Sequence, residues 1–72
     1  MGSRAFQQPA RLSEAGETVR WAMIARPERV WWTAEAVAEL VGIHAAIVHC
    51  MLTVQAENGL MRYSRERWRV IR

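Results

Sequence analysis

From residue 13 onward the chain alternates between helical and strand-like hydrophobic spacing, punctuated by proline and glycine. In "SEAGETVRWAMIARPERV" the positions Val19, Ala22, Met23 and Arg26 fall at i, i+3, i+4 and i+7, which aligns the first three as an apolar helical stripe. Ser13 is placed to cap this helix, and Glu14 and Glu17 suit its positive end. Pro27 disfavours helical geometry at Arg26, so a helix over 14–26 is predicted. "VWW", residues 30–32, is β-branched and aromatic, a short edge strand that needs a partner later in the chain. Thr33 then caps a second helix over 34–41, with Glu35 in its first turn, Val37, Leu40 and Val41 inward, and Gly42 as its stop. A third helix over 44–57 has Val48, Met51 and Leu52 as its inner stripe and ends at Asn58-Gly59. Beyond it, apolar and polar residues alternate on both sides of a polar turn at Ser64 to Arg67, which predicts a hairpin pairing 60–64 with 67–71. The predicted order is helix, strand, helix, helix, strand, strand: a mainly α domain with a small hairpin (α+β) over 13–72. Residues 1–12 lack periodicity and contain Pro9, as expected of a flexible arm.

Composition narrows the possibilities. A chain of 72 residues is one domain at most, and 51% hydrophobic content is too high for a disordered one. No apolar run approaches the roughly 18 residues of a membrane span, and the N-terminus has no signal-peptide core, so a cytoplasmic protein without membrane contact is expected. Cys50 is the sole cysteine, which rules out an internal disulfide and a sulfur-ligated structural zinc site; a partly buried filler role is expected for it. His44 and His49 stand five apart, about 140° around a helix, whereas a helical metal pair uses a spacing of four. There is no aspartate, no glycine-rich phosphate loop and no serine or cysteine nucleophile with a histidine and carboxylate at a familiar spacing. No catalysis, metal, cofactor or small-molecule ligand is therefore expected.

The charge is uneven. Residues 1–42 hold five arginines and five glutamates, whereas residues 43–72 hold five arginines against Glu57 and Glu66, which places the whole net charge of +3 in the second part. All five of those arginines lie in "RYSRERWRVIR", residues 62–72. Lysine is absent, which GC-rich codon usage also produces, so the position of the charge says more than its type. Four tryptophans are many for so small a core. Trp31 and Trp32 are adjacent and point to opposite faces of a strand, and Trp21 lies off the stripe of its helix. At least one of Trp21, Trp31 and Trp32 is expected to be exposed, stacked under arginine, or in contact with a protein partner, while Trp68 is expected to be buried.

The stretch "AEAVAELVGIHAAIVHCMLTVQAENGLM" resembles the winged helix-turn-helix DNA-binding domains of bacterial and phage regulators. Gly42 matches the turn glycine, Ile43 the apolar residue after it, Val48 and Leu52 the inward anchors of the third helix, and Glu57-Asn58-Gly59-Leu60 the exit into the wing. The likeness covers residues 14–72 and implies duplex DNA as partner, with the third helix in the major groove and the hairpin as a wing whose third strand is "VWW". Two positions depart from the pattern. Gln55 stands where the family carries a large apolar residue, so Val54 is expected to take over that packing or Gln55 to line a dimer contact. The positions that would face the groove, His44, Ala45, Ala46, His49, Cys50 and Thr53, include none of the residues that form bidentate bonds with base edges.

These readings converge on one expectation. Arg65 and Arg67 near the tip, with Arg62 and Arg69 on the strands, hold DNA phosphates or a narrow minor groove, while Tyr63, Trp68 and Val70 face inward. His44, Ala45, Ala46, His49 and Thr53 meet bases weakly, and a homodimer would double the site. The alternative is a winged helix that serves as a protein-interaction module or adaptor, favoured by the sparse groove face and by Trp21, Trp31 and Trp32.

Overall fold

Three helices and one antiparallel hairpin make up residues 14–71, the part of the chain described by a computed structural model. Helix α1 spans Glu14–Ile24, α2 Ala34–Val41 and α3 Ala45–Glu57; strand β1 spans Met61–Ser64 and β2 Arg67–Val70. The predicted arm and the Ser13 cap lie outside the described residues.

The predicted stops operate as their chemistry requires. Pro27 ends α1 early: after Ile24 the backbone tightens into a turn in which the Arg26 amide donates to the Met23 carbonyl at 3.1 Å. Thr33 caps α2, its hydroxyl oxygen accepting from the Ala36 amide at 3.1 Å. Gly42 closes α2 in the left-handed region, φ 74°, where a side chain would be strained. Gly42, Ile43 and His44 then form a three-residue turn, across which α3 departs from α2 at 111°.

The core collects one stripe from each element. Val19 and Met23 come from α1, Ala34 and Val37 from α2, Val48 and Leu52 from α3, and Met61, Trp68 and Val70 from the hairpin, with Trp32 between them. Each fully buried aliphatic side chain contributes about 1.5–3 kcal/mol, so a core this size holds the domain together with little to spare.

Four expectations need correction. The third strand is reduced to a single bridge between Trp32 and Trp68, closed by two backbone hydrogen bonds of 2.9 and 2.8 Å. The turn through Arg29 precedes it and Thr33 is committed to capping, which leaves no length for a ladder. Gln55, not Val54, fills the inner position of α3: it is wholly buried and its Nε2 donates to the Gly16 carbonyl at 3.0 Å, tying α3 to α1. Val54 is exposed, so it takes over no packing, and Gln55 lines no dimer surface. Cys50 is exposed and not a filler, because it lies off the Val48–Leu52–Gln55 stripe. Tyr63 is on the inner face of the sheet, in register with Trp68, yet it overhangs the core edge and is 53% exposed.

Candidate nucleic-acid interface

The hairpin turn is two residues long, and both of them, Arg65 and Glu66, have positive φ, 51° and 63°. A two-residue loop of this kind matches the twist of the strands, and Asn-Gly is its usual occupant because L side chains are strained there. Here the tip carries a charged pair instead, so the Arg65 side chain is displayed at a conformational cost.

Alternation along the strands decides where the other arginines go. The register pairs Arg62 with Arg69 and Ser64 with Arg67, while Met61, Tyr63, Trp68 and Val70 occupy the opposite face. Arg62, Arg67 and Arg69 therefore share the outer face of the sheet and are exposed, with Arg65 at the tip. Among the described residues, no carboxylate forms an ion pair with any of the four. Arg69 instead stands over the indole of Trp31, 5.7 Å from its centroid.

The α3 side of the hairpin is built differently. His49, Thr53, Ala56 and Glu57 face Tyr63 and Trp68 across a cleft of about 400 Å³. Trp68 is clamped in its wall: the His49 ring meets it edge-on at 5.0 Å and the Tyr63 ring lies 4.8 Å away. The Trp68 Nε1 donor is buried without a hydrogen-bond partner among the described residues. His44 does not belong to this cleft, since it is the N-cap of α3 and its Nδ1 accepts from the Ala46 amide at 3.1 Å. Its imidazole is occupied locally, whereas the expected groove role needs it free at one nitrogen; Nε2 alone is left for that purpose.

Ala45 is half-buried at the first turn of α3, while Ala46, His49 and Cys50 are exposed and Thr53 is half-buried in the cleft wall.

The tryptophans divide in the same way. Trp21, on α1, is 59% exposed beside the Arg20 guanidinium, far in sequence from the hairpin. Trp32 is buried, its Nε1 donating to the Arg29 carbonyl at 3.0 Å under the Arg29 guanidinium, so it belongs to the core and offers no surface to a partner. Trp31 points the other way, onto the outer face of the sheet. Two features escaped the sequence reading. One is the company Trp31 keeps with the arginines, which depends on the Trp32–Trp68 bridge and has no local signal in the sequence. The other is an apolar outer stripe on α3, Ile47, Cys50 and Val54, spaced three and four apart.

The chain matches no family model, no curated protein and no solved structure. Among the described residues, no helix is long and apolar enough to cross a membrane, and no group of three or more metal-ligating side chains is present.

Proposed function

We propose that the chain is a winged helix DNA-binding domain of the type used by small bacterial and phage transcriptional regulators, acting in the cytoplasm on duplex DNA. The observation that carries this reading is the set of exposed guanidiniums on one hairpin, Arg62, Arg65, Arg67 and Arg69, none of them in an ion pair among the described residues. The three-residue turn and the 111° angle between α2 and α3 support it, since helix-turn-helix pairs meet at about 90–120°. In this reading α3 lies in the major groove with Ala46, His49 and Thr53 toward the bases, and Arg65 and Arg67 hold the neighbouring phosphates. Arg62 and Arg69, on the outer face, add to the field that attracts the duplex. Binding is backbone-dominated and reads sequence weakly, because α3 offers no bidentate donor to a base edge. An anisotropy titration with random duplex DNA tests this: log affinity should fall linearly with log salt. No affinity at low salt would overturn it.

A second reading is favoured by one observation, the Ile47–Cys50–Val54 stripe, which leaves α3 apolar on its outer side as well as its inner one. In that reading α3 docks a protein, either a second copy or an adaptor's target, and DNA is not bound. Sedimentation over a range of concentrations, run beside the titration, separates the two.

A further inference from the structure

The outer face of the hairpin carries a row that crosses three backbone segments. Arg62 stands opposite Arg69 in the ladder. One residue along from the Trp32–Trp68 bridge, Trp31 stands beside Arg69, in the cation–π contact described above. Trp31 and Ser64 also line both of two open depressions. Arg62 and Arg69 line the one of about 710 Å³, and Arg65 and Arg67 line the other, of about 330 Å³.

We propose that this face binds an unpaired nucleic-acid strand, with a base stacked on Trp31 and the flanking phosphates held by Arg62 and Arg69 on one side and Arg65 and Arg67 on the other. Two costs built into the face argue for such a ligand. Like charges directly opposed across a ladder destabilise it, and Arg62 and Arg69 are so opposed with no carboxylate between them. An exposed indole leaves apolar area in water, and Trp31 is more than a third exposed. Charge alone would protect a sheet edge, and the contact with Arg69 leaves more than a third of Trp31 uncovered. An acidic peptide would satisfy the guanidiniums without supplying a flat π surface at each step. A duplex supplies phosphates but keeps its base faces inside the stack. An unpaired strand offers both, a charge and a free π face per nucleotide, which is the combination that stacking platforms in basic grooves use.

This inference shares its arginines with the duplex reading but takes nothing from α3, so the two fail separately. The test uses the full chain and fluorescence anisotropy with three probes at one salt concentration: a labelled oligo(dT) within the range of about 4–16 nucleotides covered by small single-strand modules, a random duplex of the same length, and polyglutamate as competitor. Trp31→Leu keeps apolar bulk and removes the indole; Trp31→Phe keeps an aromatic face. Trp31→Leu should weaken oligo(dT) binding by about tenfold or more and leave duplex binding nearly unchanged, and Trp31→Phe should retain most of the oligo(dT) affinity. Circular dichroism should show both variants folded, since the exposed Trp31 is outside the core. Oligo(dT) binding that is equal in the wild type and Trp31→Leu would overturn the proposal, leaving bare electrostatics. So would polyglutamate that displaces oligo(dT) at matched charge and loses its own affinity in Trp31→Leu, which would make an acidic protein the partner. Duplex binding without oligo(dT) binding defeats the platform alone. Oligo(dT) binding that requires Trp31, without duplex binding, supports the platform and defeats the duplex reading alone.

Discussion

Helix α3 and the hairpin lie side by side, yet they are built from opposite materials. Between Ala45 and Glu57, α3 has no lysine or arginine, and its sole carboxylate is Glu57 at the C-terminal end. The hairpin, from Met61 to Val70, has four arginines and one glutamate. A helix that enters a groove without donors gives little sequence discrimination, whereas unpaired guanidiniums give affinity to any phosphate chain. In the proposed reading the contrast separates two quantities that are often supplied by one surface: the hairpin would supply affinity, and α3 shape and packing. Arg62, Arg67 and Arg69 lie on the sheet face turned away from the core, and so away from α3.

The largest expected effect tests whether α3 has one structural face or two. Leu52→Ala, on the buried stripe, should cost about 2–5 kcal/mol, enough to unfold much of a domain this small. Val54→Ala, on the outer stripe, should change stability by less than about 0.5 kcal/mol. Urea unfolding of the two variants makes the comparison. A large loss for Val54→Ala would show the outer stripe to be covered in solution and would favour the protein-docking reading.

The next effect concerns affinity. Replacing Arg65 and Arg67 together with alanine should flatten the slope of log affinity against log salt by about two units and weaken all duplexes alike. His49→Ala and Thr53→Ala should leave that slope unchanged and alter only the preference among sequences. If instead the cleft variants change the slope and the hairpin variant does not, the division between the two regions is the reverse of the one drawn above.

Much of this arrangement was legible in the sequence because it rests on local chemistry. Thr33 and Gly42 mark the ends of α2 through capping and a left-handed turn, and the alternation on either side of Arg65-Glu66 marks the hairpin. What was hidden depends on contacts between distant segments. Gln55 is polar, and only the Gly16 carbonyl, brought to it by α1, makes its burial acceptable. Tyr63 has the correct parity for the core, but the core ends before it does. Trp31 could be assigned to an outer face from parity alone, yet its contact with Arg69 required the Trp32–Trp68 bridge. The candidate arginines were visible as a cluster, but their division between tip and outer face was set by the ladder register.

Gln55 allows a smaller test of how α3 is anchored. Its Oε1 is buried without a hydrogen-bond partner among the described residues, while Nε2 donates to the Gly16 carbonyl. Gln55→Leu removes an uncompensated acceptor and one hydrogen bond together, effects of opposite sign and each about 1–3 kcal/mol at most. The net change in urea unfolding should therefore stay within about 1 kcal/mol. Gln55→Ala should cost more, because it loses the bond and leaves a cavity as well. Equal losses for the two variants would mean that the Gly16 bond, not volume, governs the site.

The smallest expected effect is at the hairpin tip, where stability and charge are set against each other. Glu66 is held at φ 63°, a left-handed conformation that costs an L residue about 1–2 kcal/mol and glycine almost nothing. Glu66→Gly relieves that strain, but it also gives the unfolded chain more freedom, which takes back about 0.4–1 kcal/mol. The net gain in stability should be a few tenths of a kcal/mol, up to about 1. The same change removes the hairpin's sole negative charge from between Arg65 and Arg67. Duplex affinity should rise modestly at low salt, and the gain should shrink as salt screens it. A stability gain without any gain in affinity would mean that the tip does not approach the phosphates, and the duplex affinity would then have to come from the outer face, through Arg62 and Arg69.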